Sequence, residues 1–120
     1  MGAVHKLYPT AGLTQCQKVI QHVEETGGIT SWEAINHYGI TRLAARVHEL
    51  DGSNNAMKAE DIGDGCVRYV PDWKKRLKFI REEISLMVAL ESVKSIATRL
   101  PTKVVEFNNA YRMVLRTGGW

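Results

Sequence analysis

From Leu13 onward apolar residues recur at helical spacing, with Leu13, Cys16, Val19, Ile20 and Val23 on one face and Thr14 placed to cap the helix. Gly27-Gly28 then stops it, because the left-handed position after a helix is cheapest for glycine. Ile29 follows as a single extended residue. Thr30-Ser31-Trp32-Glu33 fits a capping box, the Thr30 hydroxyl accepting from the Glu33 amide and the Glu33 carboxylate answering the Thr30 N–H. This second helix is short, because Gly39 interrupts it. Thr41 is placed to cap a third helix, Arg42 to Leu50, with Leu43, Val47 and Leu50 on its apolar face and Ile40 stapling the turn before it. Trp32 and Ile35 are expected to cover a core of Ile20, Val23, Leu43 and Val47.

The pattern changes after Leu50. Gly52-Ser53-Asn54-Asn55 is loop chemistry, and two short extended runs follow, Ala56 to Glu60 and Cys66 to Val70. Between them Gly63-Asp64-Gly65 marks a tight turn, so the pair reads as a hairpin. Beyond Pro71, Asp72 is placed to cap a long helix towards Leu100, where Pro101 forces an end or a bend. Its apolar positions fall in two registers. Trp73, Leu77, Ile80, Ile84 and Met87 form one; Leu86, Leu90, Val93, Ala97 and Leu100 form the other. A last helix, about 103–115, presents Val104, Phe107, Tyr111, Val114 and Leu115. Residues 1–12 read as a mobile arm and 118–120 as a frayed end.

Three helices with a short second one, then a two-stranded hairpin, is the order of elements in a winged helix-turn-helix. The expected fold is mainly α: that domain over residues 13–71, then a helical extension over 72–120. The wording of residues 27–50 adds to the topology, with Ile-Thr-Ser-Trp-Glu-Ala opening the second helix and Gly-Ile-Thr-Arg-Leu-Ala-Ala-Arg-Val the third. It resembles a family of small winged helix-turn-helix domains common in bacteriophage and prophage proteins. The resemblance covers about residues 13–70 and implies a phage-encoded protein that binds double-stranded DNA.

Charge sharpens this picture. Residues 1–70 carry six Lys/Arg against eight Asp/Glu, whereas residues 71–120 carry ten against five. The net +3 therefore comes from the second half, densest at Trp73-Lys74-Lys75-Arg76-Leu77-Lys78-Phe79-Ile80-Arg81. With Leu43, Val47 and Leu50 inward, the third helix turns Thr41, Arg42, Ala45, Arg46 and Glu49 outward, with His48 on the flank. Arg42 and Arg46 lie one turn apart and suit guanine edges in one major groove. The competing reading pairs the arginines locally with Glu49 and Glu33. Lys58 on the wing and Lys74, Lys75 and Lys78 are candidates for phosphate contact, but Glu60, Asp61 and Asp64 make the wing acidic and oppose DNA there.

Other chemistry has little to stand on. Apolar residues make up 44% and charged residues 24%, a globular balance, and no run approaches the roughly 18 apolar residues of a membrane span. The first ten residues lack the apolar core of a secretory signal. Cys16 and Cys66 are too few for a disulfide framework or a four-ligand zinc site, and read as buried free thiols of an intracellular protein. His5, His22, His37 and His48 are scattered, His22 reading as a surface or satisfied core histidine. No phosphate-cradling glycine motif is present. The expectation is a cytoplasmic regulator of transcription with no catalysis, cofactor or metal, dimeric through residues 73–116. The alternative is a phage-encoded module that uses the winged scaffold to bind a host protein, favoured by the acidic wing.

Overall fold

A computed structural model describes residues 12–117; the expected N-terminal arm, apart from Gly12, and the frayed C-terminal end lie outside them. The chain divides into two compact units. Within the described residues, one comprises residues 12–51 and 57–71, the other residues 52–56 and 72–117.

In the first unit, α1 (Gln15–Thr26) and α2 (Ser31–Tyr38) pack on the edge strand of a three-stranded antiparallel sheet, and α3 (Leu43–Glu49) packs on α1. The strands β1 (Ile29–Thr30), β2 (Met57–Gly63) and β3 (Cys66–Pro71) are ordered β1-β3-β2. The caps follow from the residues. Thr14 and Gln17 form a capping box at α1, and Thr30 and Glu33 form the one expected at α2. At the end of α2, Gly39 takes φ 67°, where a Cβ would be strained, and turns the chain into α3. The helix α3 begins one residue later than expected. Arg42 is its N-cap and makes no side-chain capping bond, so Thr41 is not the cap. Ile29 is not isolated: β1 pairs with β3 through Ile29–Tyr69 and Thr30–Arg68.

The core of this unit is Val19, Val23, Ile29, Ala34, Ile40, Leu43, Val47, Leu50 and Met57. Trp32 does not belong to it; the side chain is 74% exposed, and Ile35 is also exposed. Helix geometry explains the error. Ala34 is the fully buried residue of α2, and at 100° per residue Trp32 lies on nearly the opposite side of the axis. The hairpin β2–β3 turns at Asp64 and Gly65, both at positive φ, the backbone that matches strand twist in a two-residue turn. Strand β2 runs to Gly63, beyond the expected Glu60, so Glu60 and Asp61 sit on the strand and Asp64 at the turn.

The second unit is a pair of helices, α4 (Trp73–Leu90) and α5 (Val93–Thr117), with the 52–56 loop attached. Arg76 holds the loop: its buried Nε donates to Ala56 O at 2.8 Å, and Asn54 Nδ2 donates to Glu106 Oε1 at 3.1 Å. The expected single helix to Leu100 is broken ten residues early. Glu91 is extended, and Ser92 Oγ accepts from Ser95 N at 3.2 Å, a cap that starts a new helix. Hydrogen bonds from Ser95 Oγ and Arg99 hold the Glu91 carboxyl below its ordinary pKa. Pro101 neither ends nor delimits a helix; α5 continues through it. A mid-helix proline removes one backbone bond and costs about 3 kcal/mol. Beyond it Phe107, Ala110 and Val114 pack with Leu77, Ile80 and Ile84, which offsets that loss. The first apolar register of α4 is thus the buried seam. Leu86, Leu90 and Val93 of the second are exposed, the first two on α4 and the third at the start of α5.

Candidate nucleic-acid interface

The inward residues of α3 determine what it shows outside. Leu43, Val47 and Leu50 are buried in the core, one turn apart. Thr41, Arg42, Ala44, His48 and Glu49 are exposed, while Ala45 and Arg46 are half-buried. Arg42 precedes the helix and is anchored by backbone alone: its carbonyl accepts from Ala45 N at 3.1 Å and Arg46 N at 3.3 Å. Its guanidinium makes no ion pair with a described residue. Arg42 and Arg46 are one turn apart, as spacing required.

Arg46 differs from Arg42. Its side chain is 28% exposed and its Nη2 lies 3.0 Å from Glu49 Oε2, the local pairing weighed against base reading. Glu49 is also the acceptor for Cys16 Sγ at 3.2 Å, so α1 and α3 share a small polar knot on this face. Burial first, then the hydrogen bond to Glu49 and the Glu49 charge, push the Cys16 thiol above its ordinary pKa, against the opposing pull of Arg46. Neither Arg42 nor Arg46 pairs with Glu33, which caps α2 and lies 3.7 Å from His22 Nε2.

Behind this face, His22 Nδ1 and the Tyr38 hydroxyl are joined by a 2.6 Å hydrogen bond, and His37 stacks on His22 at 5.9 Å between centroids. Through Nδ1 the buried His22 ties α1 to α2. Burial, and less so Glu33, raise the Tyr38 pKa. Among the described residues no group of three or more His, Cys, Asp or Glu side chains could hold a metal ion. Cys66 is exposed, not buried, because it opens β3 beside the turn; Cys16 is half-buried.

The wing shows exposed Lys58, Glu60, Asp61 and Asp64. Asp61 is occupied locally, its Oδ1 accepting from Gly63 N at 2.8 Å. Opposite Glu60 in register stands Arg68, whose guanidinium turns back over Gly28 and donates to Thr26 O at 3.2 Å. The candidates Lys74, Lys75 and Lys78 belong to the helical unit, where they are exposed on α4. Sequence reasoning overlooked Ala44 on the open face of α3 and the exposed Trp32 and Ile35 on α2. Setting Ala34 rather than Trp32 inward would have found the latter two.

No curated protein and no solved structure matches the chain. Residues 14–53, which hold α1, α2 and α3 with the turn between the last two, match the family described as the winged helix-turn-helix domain. No described helix is long and apolar enough to cross a membrane. Three helices with a small sheet, a short second helix, an outward-facing third helix and a β2–β3 wing complete the same architecture, so the first unit has the winged helix-turn-helix fold, a type that points to DNA binding.

Proposed function

We propose that the protein is a phage-encoded, cytoplasmic regulator of transcription that reads the major groove of double-stranded DNA with α3 and catalyses no reaction. One observation carries this reading. Within a winged helix-turn-helix, the helix in the reading position commits Leu43, Val47 and Leu50 to the core and leaves Thr41, Arg42, Ala44, His48 and Glu49 to solvent. In this role Arg42 is the first base reader, and Arg46 reads only by exchanging Glu49 for a guanine edge. A dimer is proposed through residues 73–116, where Leu86, Val88, Leu90 and Val93 stand exposed around the α4–α5 turn. Dimerisation doubles the number of base pairs read, the usual route to specific affinity in the nanomolar range. The test is selection of bound sequences from a random duplex library, followed by salt-titrated binding. Enrichment of a two-fold related motif supports the proposal, and a pool that stays random overturns it.

A second reading has its own support. Trp32 and Ile35 are exposed on α2, and the wing carries Glu60, Asp61 and Asp64. An exposed aromatic beside an apolar neighbour suits a protein partner, and carboxylates repel phosphate. A host protein bound by the winged unit is the alternative this observation favours. Loss of its capture on Trp32→Ala, with DNA binding unchanged, separates the two.

A further inference from the structure

The helical unit contains a cleft of about 370 Å³ lined by Lys74, Leu77, Lys78 and Arg81 of α4 and by Phe107 and Tyr111 of α5. Its floor is apolar and aromatic, and its rim is cationic. Lys74, Lys78 and Arg81 are exposed, and none of them makes an ion pair with a described residue. Among the described residues no carboxylate lines the cleft. The Phe107 and Tyr111 rings lie nearly parallel, 6° between planes and 6.4 Å between centroids. Tyr111 is 42% exposed and also lines a second cleft, of about 410 Å³, with Asn108 and Arg112.

From this arrangement we infer that the cleft binds an unpaired nucleotide, its base set against Tyr111 and its phosphates on the Lys74–Lys78–Arg81 row. Charge decides the sign of the ligand: three cations that pair with no described carboxylate call for an anion. The aromatic floor decides its shape, since an inorganic anion gains nothing from Leu77, Phe107 and Tyr111, whereas a planar base gains stacking and apolar contact. Helical rise separates Lys74 from Arg81 by about 10 Å. Phosphates lie about 3.4 Å apart along a stacked strand and further apart once the bases unstack, so this row meets at most about three of them. Duplex DNA fits poorly, because a stacked base pair has no open face to lay on a ring. The base must be out of the stack, as in a single strand or a free nucleotide. The inference does not depend on base reading by α3, which belongs to the other unit.

Fluorescence anisotropy of the full chain with a labelled single-stranded dodecamer tests it, with ATP and an abasic oligomer of equal length as competitors. The expected results are binding with a log–log salt slope of about −2, from three phosphate contacts at about 0.7 each, and an abasic oligomer about tenfold weaker. Competition by ATP at micromolar concentrations assigns the site to a soluble nucleotide; its failure to compete assigns it to a strand, and either supports the shared chemistry. Tyr111→Leu is expected to weaken binding about tenfold and Tyr111→Phe to leave it intact. The double variant Lys78→Ala with Arg81→Ala should reduce the slope by about 1.4. Arg42→Ala with Arg46→Ala should retain single-strand binding, so failure of the α3 reading stays distinguishable. Equal binding of intact and abasic oligomers overturns the inference even if Tyr111→Leu fails to fold. So does an undiminished affinity in a folded Tyr111→Leu protein.

Discussion

Removing the two arginines of α3 one at a time should give unequal results, and the inequality is set by Glu49. Arg42 stands outside the helix, exposed and without an ion pair to a described residue, and its cap is made by backbone. Arg42→Ala should therefore leave stability within about 0.5 kcal/mol of the parent. Arg46 holds Glu49 at 3.0 Å, with the two side chains 28% and 50% exposed. A partly solvated pair of this kind contributes about 0.2–1 kcal/mol, so Arg46→Ala should lose up to about 1 kcal/mol of stability. In DNA binding each substitution should cost about 1–3 kcal/mol on the selected sequence and relax preference at one or two base pairs. Glu49→Gln provides the opposite sign. It frees Arg46 and removes one negative charge from the reading face, so affinity should rise by up to about fivefold, the equivalent of about 1 kcal/mol. The measurements are urea denaturation followed by tryptophan fluorescence and anisotropy on the selected duplex and on a scrambled one. If the double arginine variant bound both duplexes as the parent does, α3 would not be the reading helix; if Glu49→Gln weakened binding, Glu49 would itself be a DNA contact and not a brake on Arg46.

Other outcomes follow from the same structure. Ile40→Ala, at a fully buried position, should cost about 2–5 kcal/mol in denaturation, while Trp32→Ala, at an exposed one, should stay within about 0.5 kcal/mol. Replacing Glu60 and Asp61 with Lys should strengthen binding to every duplex alike and steepen the salt slope by about 0.9 per new phosphate contact; an unchanged slope would show that the wing stays off DNA. Under native conditions a maleimide should label exposed Cys66 well before half-buried Cys16, whose raised pKa keeps it a thiol. With its folded pKa above the unfolded one, Cys16 contributes stability below the ordinary thiol pKa that is lost as pH rises through the folded value, and Cys16→Ser should remove that alkaline loss. Leu90→Glu with Val93→Glu should turn a dimer in light scattering into a monomer, and a parent chain that is already monomeric would refute the dimer proposal.

Local chemistry determined most of the winged domain. Thr30 with Glu33, Gly27, Gly39 and the Asp64-Gly65 turn act within a few residues of themselves, so α1, α2 and the hairpin could be read from the chain. The periodic Leu43, Val47 and Leu50 likewise identified the face of α3 that would be buried, and by subtraction the face that could meet DNA. What the sequence could not decide was which of two plausible faces loses its water. On α2 a tryptophan and an isoleucine looked like core, yet the space beneath the helix admits Ala34, and close packing there turned the larger side chains outward. At residues 72–117 the two apolar registers overlap at Leu86 and Met87 and leave the helix boundary unplaced; Ser92 starts a second helix, and packing across the α4–α5 seam carries it past Pro101. The pairing of Arg46 with Glu49 and the cleft at Tyr111 belong to the same class: each depends on distances between elements, and only the folded chain sets those.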